Sequence, residues 1–126
     1  MIRKQKKQDQ SYLEAALQRL ILRFDLPNPV WEYKFHNYRF DAGYPKAKVF
    51  IEVDGGTYNG GDHVRGVGYR RDCEKNNLAQ LEGWVVLRAD REMVFTEDFA
   101  MMIKQTLMMR IRNARKQANC SCGALR

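Results

Sequence analysis

Apolar positions recur at helical spacing near the start of the chain: Leu13, Ala16, Leu17, Leu20, Ile21 and Phe24 fall on one stripe. The pattern predicts an amphipathic helix over about 12–24. Ser11 and Glu14 stand at capping-box spacing ahead of it, and Pro27 and Pro29 follow as its stop. The period then changes to two. Val30–Phe35 alternates as a strand does, His36 and Asn37 break the pattern, and Tyr38–Ala42 resumes it. Gly43, Tyr44 and Pro45 read as a turn, and Ala47–Asp54 as a third strand with the apolar, β-branched run Val49–Val53. Connections this short predict an antiparallel meander. Arg70–Glu82 reads as a helix closed by Gly83, and Trp84–Arg88 as a fourth strand. A helix between strands three and four implies a right-handed crossover and parallel pairing. The last helix starts near Thr96 and Glu97, with Phe99, Ala100, Ile103, Leu107, Ile111 and Ala114 inward. The expected architecture is an α/β fold with a mixed four-stranded sheet in the order α-β-β-β-α-β-α. It fills one domain over 11–117, between a flexible basic arm (1–10) and a flexible tail (118–126).

One strand departs from its own apolar pattern. The run Lys48-Val-Phe-Ile-Glu-Val-Asp-Gly-Gly56 carries Glu52 and Asp54 near its end, on the same face and roughly 7 Å apart by strand rise. Two acids on an otherwise apolar strand are costly unless a cation sits beside them. A third acid, Asp41, ends the run Tyr38-Arg-Phe-Asp. Three carboxylates converging from two strands form a hard, oxygen-rich site of the kind Mg²⁺ prefers. Pairing with Lys46 and Lys48 as solvated strand-end acids is the competing reading. Just beyond, six of the nine glycines fall between Gly55 and Gly68, interleaved with Tyr58, His63 and Arg65. A loop of that composition is mobile or lets backbone approach a ligand closely.

Charge extends the picture to a partner. The 126 residues carry a formal charge of +7, which favours a polyanion. No apolar run approaches the roughly 20 residues a membrane-spanning helix needs, and Met1–Lys7 lacks the apolar core of a signal peptide. Cys73, Cys120 and Cys122 make no closed disulfide framework, so a reducing cytoplasm is the expected location. A four-ligand zinc set is not visible in the Cys-Ser-Cys tail.

Together the motifs resemble the PD-(D/E)XK nuclease superfamily, and within it the small very-short-patch-repair-like endonucleases. The resemblance rests on Phe40-Asp41, Glu52-Val-Asp-Gly55, His63, Asp72 and Gly83-Trp-Val-Val-Leu-Arg88, and spans residues 11 to about 90. It implies a restriction-endonuclease-like core and a Mg²⁺-dependent DNA endonuclease, with Mn²⁺ able to substitute. Asp41, Glu52 and the Val53 carbonyl would hold the metal, with Asp54 and Glu14 as further candidates. The motif lysine position is occupied by Asp54, a departure that leaves Lys75 on the following helix as the substitute. The chemistry needs a carboxylate-held cation that stabilises a phosphoryl oxygen and lowers the pKa of water. His63 is a candidate to position water or protonate the leaving oxygen, and Glu14 has capping as its competing role. Phosphate-backbone contacts are expected from Arg3, Lys4, Lys6, Lys7, Arg65, Arg70, Arg71, Arg115 and Lys116. Duplex, mismatched, single-stranded and branched DNA all remain open as substrates, and so do one copy or two. The missing motif lysine motivates the alternative, a non-catalytic nucleic-acid-binding protein on a decayed nuclease fold.

Overall fold

The computed structural model describes residues 2–54 and 66–124. Helix α1 (Ile2–Arg23) is followed by strands β1 (Val30–Phe35), β2 (Tyr38–Tyr44) and β3 (Val49–Val53). Helix α2 (Val67–Leu81), strand β4 (Val85–Ala89), a 3₁₀ turn (Met93–Phe95) and helix α3 (Glu97–Ala124) complete the described residues. The strands form one mixed sheet in the order β1-β2-β3-β4. The first two pairings are antiparallel and the β3–β4 pairing is parallel. This is the α/β class and element order that the hydrophobic pattern predicts.

Both terminal helices are longer than their apolar stripes. Residues 2–10 contain no Gly or Pro and are mostly Lys, Gln and Arg, which propagate a helix well. Helix α1 therefore starts at Ile2 and not near residue 12, and the expected capping box does not form, because Ser11 lies inside the helix. Asp25 adopts φ 53° at the helix end, and the Leu26 amide returns to the Ile21 carbonyl at 2.9 Å, a left-handed C-terminal closure. Helix α3 likewise runs on to Ala124, through much of the segment expected to be a flexible tail. Among the described residues, no helix is long and apolar enough to cross a membrane.

The two faces of the sheet have different cores. Val49, Ile51 and Val53 point to α1 and α3, joining Leu13, Leu17, Ile21, Phe99 and Ile103 in the larger cluster. Phe50 points the other way, toward α2, with Phe35, Phe40 and Ala79. Its ring stacks between Phe40 and Trp84, 3.9 Å from each centroid. Gly43 makes room for this column, since a Cβ there would come within 3.0 Å of Tyr33 and 3.1 Å of Phe50. Strand β2 accordingly continues through Gly43 to Tyr44 instead of turning there.

The alternation breaks once, in the β1–β2 hairpin. Trp31 packs on the α1–α3 cluster while Tyr33 packs on the α2 cluster, and Ala42 and Phe40 divide in the same way. Between them stand Glu32, whose φ is 48°, and Asp41. A left-handed residue within a strand rotates the chain out of its pleat, so the hairpin beyond Glu32 carries Tyr33, Phe35 and Phe40 onto the α2 face. Asp41 sits at the point of switching.

Candidate active site

The β2–β3 ladder ends at the Ala42–Ile51 pair. Two residues farther along β3, the Val53 amide donates to Asp41 Oδ2 at 2.8 Å, in place of a backbone acceptor. Asp41 is only 3% exposed. Its second oxygen, Oδ1, accepts from Gln10 Nε2 of α1 at 3.0 Å. Burial pushes the Asp41 carboxyl above its usual range, against the opposing pull of the Val53 amide and Lys75. Glu14, one turn beyond Gln10 on α1, is also raised, by burial first and then by the charges of Asp41 and Glu32. Lengthening α1 thus brings Gln10 to Asp41, and Glu14, already within the expected helix, faces the site instead of capping.

Glu52 lies on the α2 face of β3, beside Asp41. Its Oε1 meets Lys75 Nζ at 3.1 Å, with the two side chains 16% and 8% exposed. Its Oε2 is buried without a hydrogen-bond partner, one of two such side-chain atoms among the described residues. Burial and the neighbouring Asp41 charge push the Glu52 carboxyl up to about 7, in spite of Lys75. Lys75 reaches this point because α2 crosses the sheet with Lys75 and Ala79 as its buried positions. Its ammonium also donates to the Arg39 carbonyl at 3.1 Å and lies 4.5 Å from the centre of the Phe40 ring. Among the described residues, Lys75 is the one buried cation, and it is delivered from a helix.

Asp54 does not join Asp41 and Glu52. Arg88, on the parallel neighbour β4, donates to Asp54 Oδ2 and lies 3.4 Å from Asp72 Oδ2. Asp72 in turn stands 3.9 Å from Lys75 Nζ. Two linked networks result: Asp41–Glu52–Lys75 inside, and Asp54–Arg88–Asp72 at the rim. The three-carboxylate convergence expected from the strands is therefore reduced to two. Among the described residues, no group of three or more His, Cys, Asp or Glu side chains is ready to hold an ion. The donor set still suits a divalent cation, because two buried carboxylates have raised affinity for protons and one oxygen lacks any partner. A cation there would satisfy Glu52 Oε2 and offset the Asp41–Glu52 repulsion.

The remaining expected residues are scattered. His63 and Arg65 lie outside the described residues, as do the side chains of Arg3, Lys4, Lys6 and Lys7. Arg70 and Arg71 are exposed on the first turns of α2, and Arg71 donates to the Asn37 carbonyl at 2.6 Å. Arg115 and Lys116 are exposed on α3. Arg110, a turn earlier, bonds the Ala47 carbonyl at 2.8 Å and the Gly83 carbonyl, at the opposite ends of β3 and β4 from Glu52. His36 is exposed and pairs with Glu82 at 2.6 Å. The Gln10 contact had no signal in the sequence, since a glutamine in a basic run has no periodicity to mark it. Arg88 was visible only as part of a resemblance. No protein-family model, curated protein or solved structure matches this chain.

Proposed function

We propose that the chain is a divalent-metal-dependent DNA endonuclease with a restriction-endonuclease-like core, hydrolysing phosphodiester bonds at the end of β3. The observation that carries this reading is the buried Asp41–Glu52–Lys75 group with its unpartnered Glu52 oxygen. Asp41 and Glu52 would hold Mg²⁺ or Mn²⁺, with the Val53 carbonyl and Glu14 as further candidate ligands. Such an ion, when bound, supplies Lewis-acid charge to a phosphoryl oxygen and makes water more acidic.

The chain's own residues account for the rest. The Val53 amide and Gln10 fix the Asp41 carboxylate in one orientation. The Arg39 carbonyl and the Phe40 ring hold Lys75, so its ammonium is a preorganised point charge for a phosphate that approaches Glu52. In the metal-free chain burial and Asp41 push the Glu52 carboxyl up to about 7, so binding of a cation there would displace a proton below that pH. Lys75 would thereby supply the cation that the Asp54 position lacks. A protein that only bound polyanions would gain nothing from two acids buried beside its ligand, which weighs against the non-catalytic alternative.

The test is incubation with duplex, mismatched, single-stranded and four-way-junction DNA in Mg²⁺ or Mn²⁺. Cleavage of at least one substrate, abolished by chelation and by Asp41→Asn, is the expected result. Binding without cleavage of any substrate in either metal would favour the non-catalytic reading.

A further inference from the structure

Between the β1–β2 hairpin and α2 lies a cleft of about 440 Å³. Lys34, His36 and Arg39 line it from the hairpin, and Arg71 and Lys75 from the helix. Asp72 is its one acid among the described residues, and that carboxylate is already engaged by Arg88 at 3.4 Å. Of its four permanent cations Lys75 is already paired with Glu52 at 3.1 Å, which leaves Lys34, Arg39 and Arg71 to face the cleft. Arg39 pairs at the surface with Glu32 at 3.3 Å, an interaction weak enough for a phosphate to replace. The Arg71 guanidinium lies 4.8 Å from the centre of the Tyr38 ring, and Arg71 is exposed, so the stack is open to a further planar group.

From these features we infer that the cleft binds single-stranded DNA, with phosphates on Lys34 and Arg39 and a base on the Arg71–Tyr38 stack, and leads that strand to Lys75. Cations interleaved with an aromatic platform are what an unpaired strand requires, because it presents backbone charge and bare base faces together. In a duplex the bases are paired inward and cannot reach a side-chain stack. The volume is that of a small-ligand pocket, which suits one or two unpaired nucleotides. The inference rests on the hydrolytic reading for the strand's destination and deepens it: the scissile phosphate arrives unpaired.

The test is fluorescence anisotropy on the full chain in a chelator, where no cleavage occurs, with a short labelled mixed-sequence oligonucleotide offered alone or as its duplex. The single strand should bind about tenfold or more tightly than the duplex. Lys34→Glu should weaken single-strand binding several-fold and reduce its salt slope by about 0.7 for each phosphate that is no longer neutralised. Arg71→Lys, which keeps the charge but removes the planar face, should also weaken it while changing the slope little. Equal or tighter duplex binding would overturn the inference, and so would unchanged single-strand affinity in both variants. If the single-strand preference holds but the wild type binds no Mn²⁺ and cuts nothing, the hydrolytic reading fails and the cleft assignment stands.

Discussion

On the side of the sheet that carries α1 and α3, Val49, Ile51 and Val53 join a cluster of leucines, isoleucines and Phe99. On the side that carries α2, Phe50 opens the same strand's alternate face, and Glu52 and Asp54 follow it. One strand thus serves two regimes. The first face gains by removing apolar area from water. The second gives up part of that gain, because an ion pair buried as deeply as Glu52–Lys75 loses hydration that its own attraction does not fully repay. Stability and chemistry are divided between the faces of one sheet, and the division begins at Glu32 and Asp41, where the hairpin changes sides.

This division of labour fails if apolar truncations on the first face are harmless. Phe99 is 1% exposed, so Phe99→Ala should lower unfolding free energy by about 3–5 kcal/mol, measured by urea denaturation. It is the largest stability effect expected. Lys75→Met should act differently: it keeps the buried stem and removes the charge. Its single-turnover cleavage rate should fall by roughly 10²–10³, while Mn²⁺ affinity stays near the wild-type value, because Asp41 and Glu52 remain. An unchanged single-turnover rate would make Lys75 a structural residue only.

Proton linkage separates the two faces again, at smaller size. The folded Glu52 carboxyl titrates near 7, above its ordinary value of 4.5. The stabilisation that follows is complete below about pH 4.5 and lost as pH rises through 7. In chelator, then, stability should fall across that window, and Glu52→Gln should flatten the fall, read from denaturation curves at several pH values. Tyr44 is the satisfied polar exception on the apolar face. Its hydroxyl donates to the Pro27 carbonyl at 2.8 Å, and burial raises its pKa from 10.0 to about 12. Its contribution is complete below pH 10 and lost as pH rises toward 12. Tyr44→Phe should cost about 1 kcal/mol at pH 8 and show a shallower alkaline loss, both read from thermal melts.

The apolar face was legible because its signals are periodic: the α1 and α3 stripes and the Val49–Val53 run each repeat. The polar face was legible in part. Alternation places Glu52 and Asp54 on one side, but cannot say that β4 lays Arg88 beside Asp54 and so separates the two acids. Nor does any local signal mark Glu32 as left-handed, since glutamate carries no preference for that conformation, and the change of sides at Asp41 was therefore hidden. Lys75 was reachable only through a family resemblance, and the Gln10 contact depended on a helix that starts at Ile2, well before its apolar stripe. Long-range pairing decides these contacts, and it leaves no period in the chain.

The hydrolytic reading of the polar face depends on the buried acids at the end of β3 forming a cation site. Calorimetric titration of Mn²⁺ into the wild type and Glu52→Gln decides whether they do. Saturable binding by the wild type is expected, with weakening of about tenfold or more in the variant, since one of two carboxylate ligands becomes a neutral amide. Equal binding by the two proteins, or none by the wild type, would rule the cation site out.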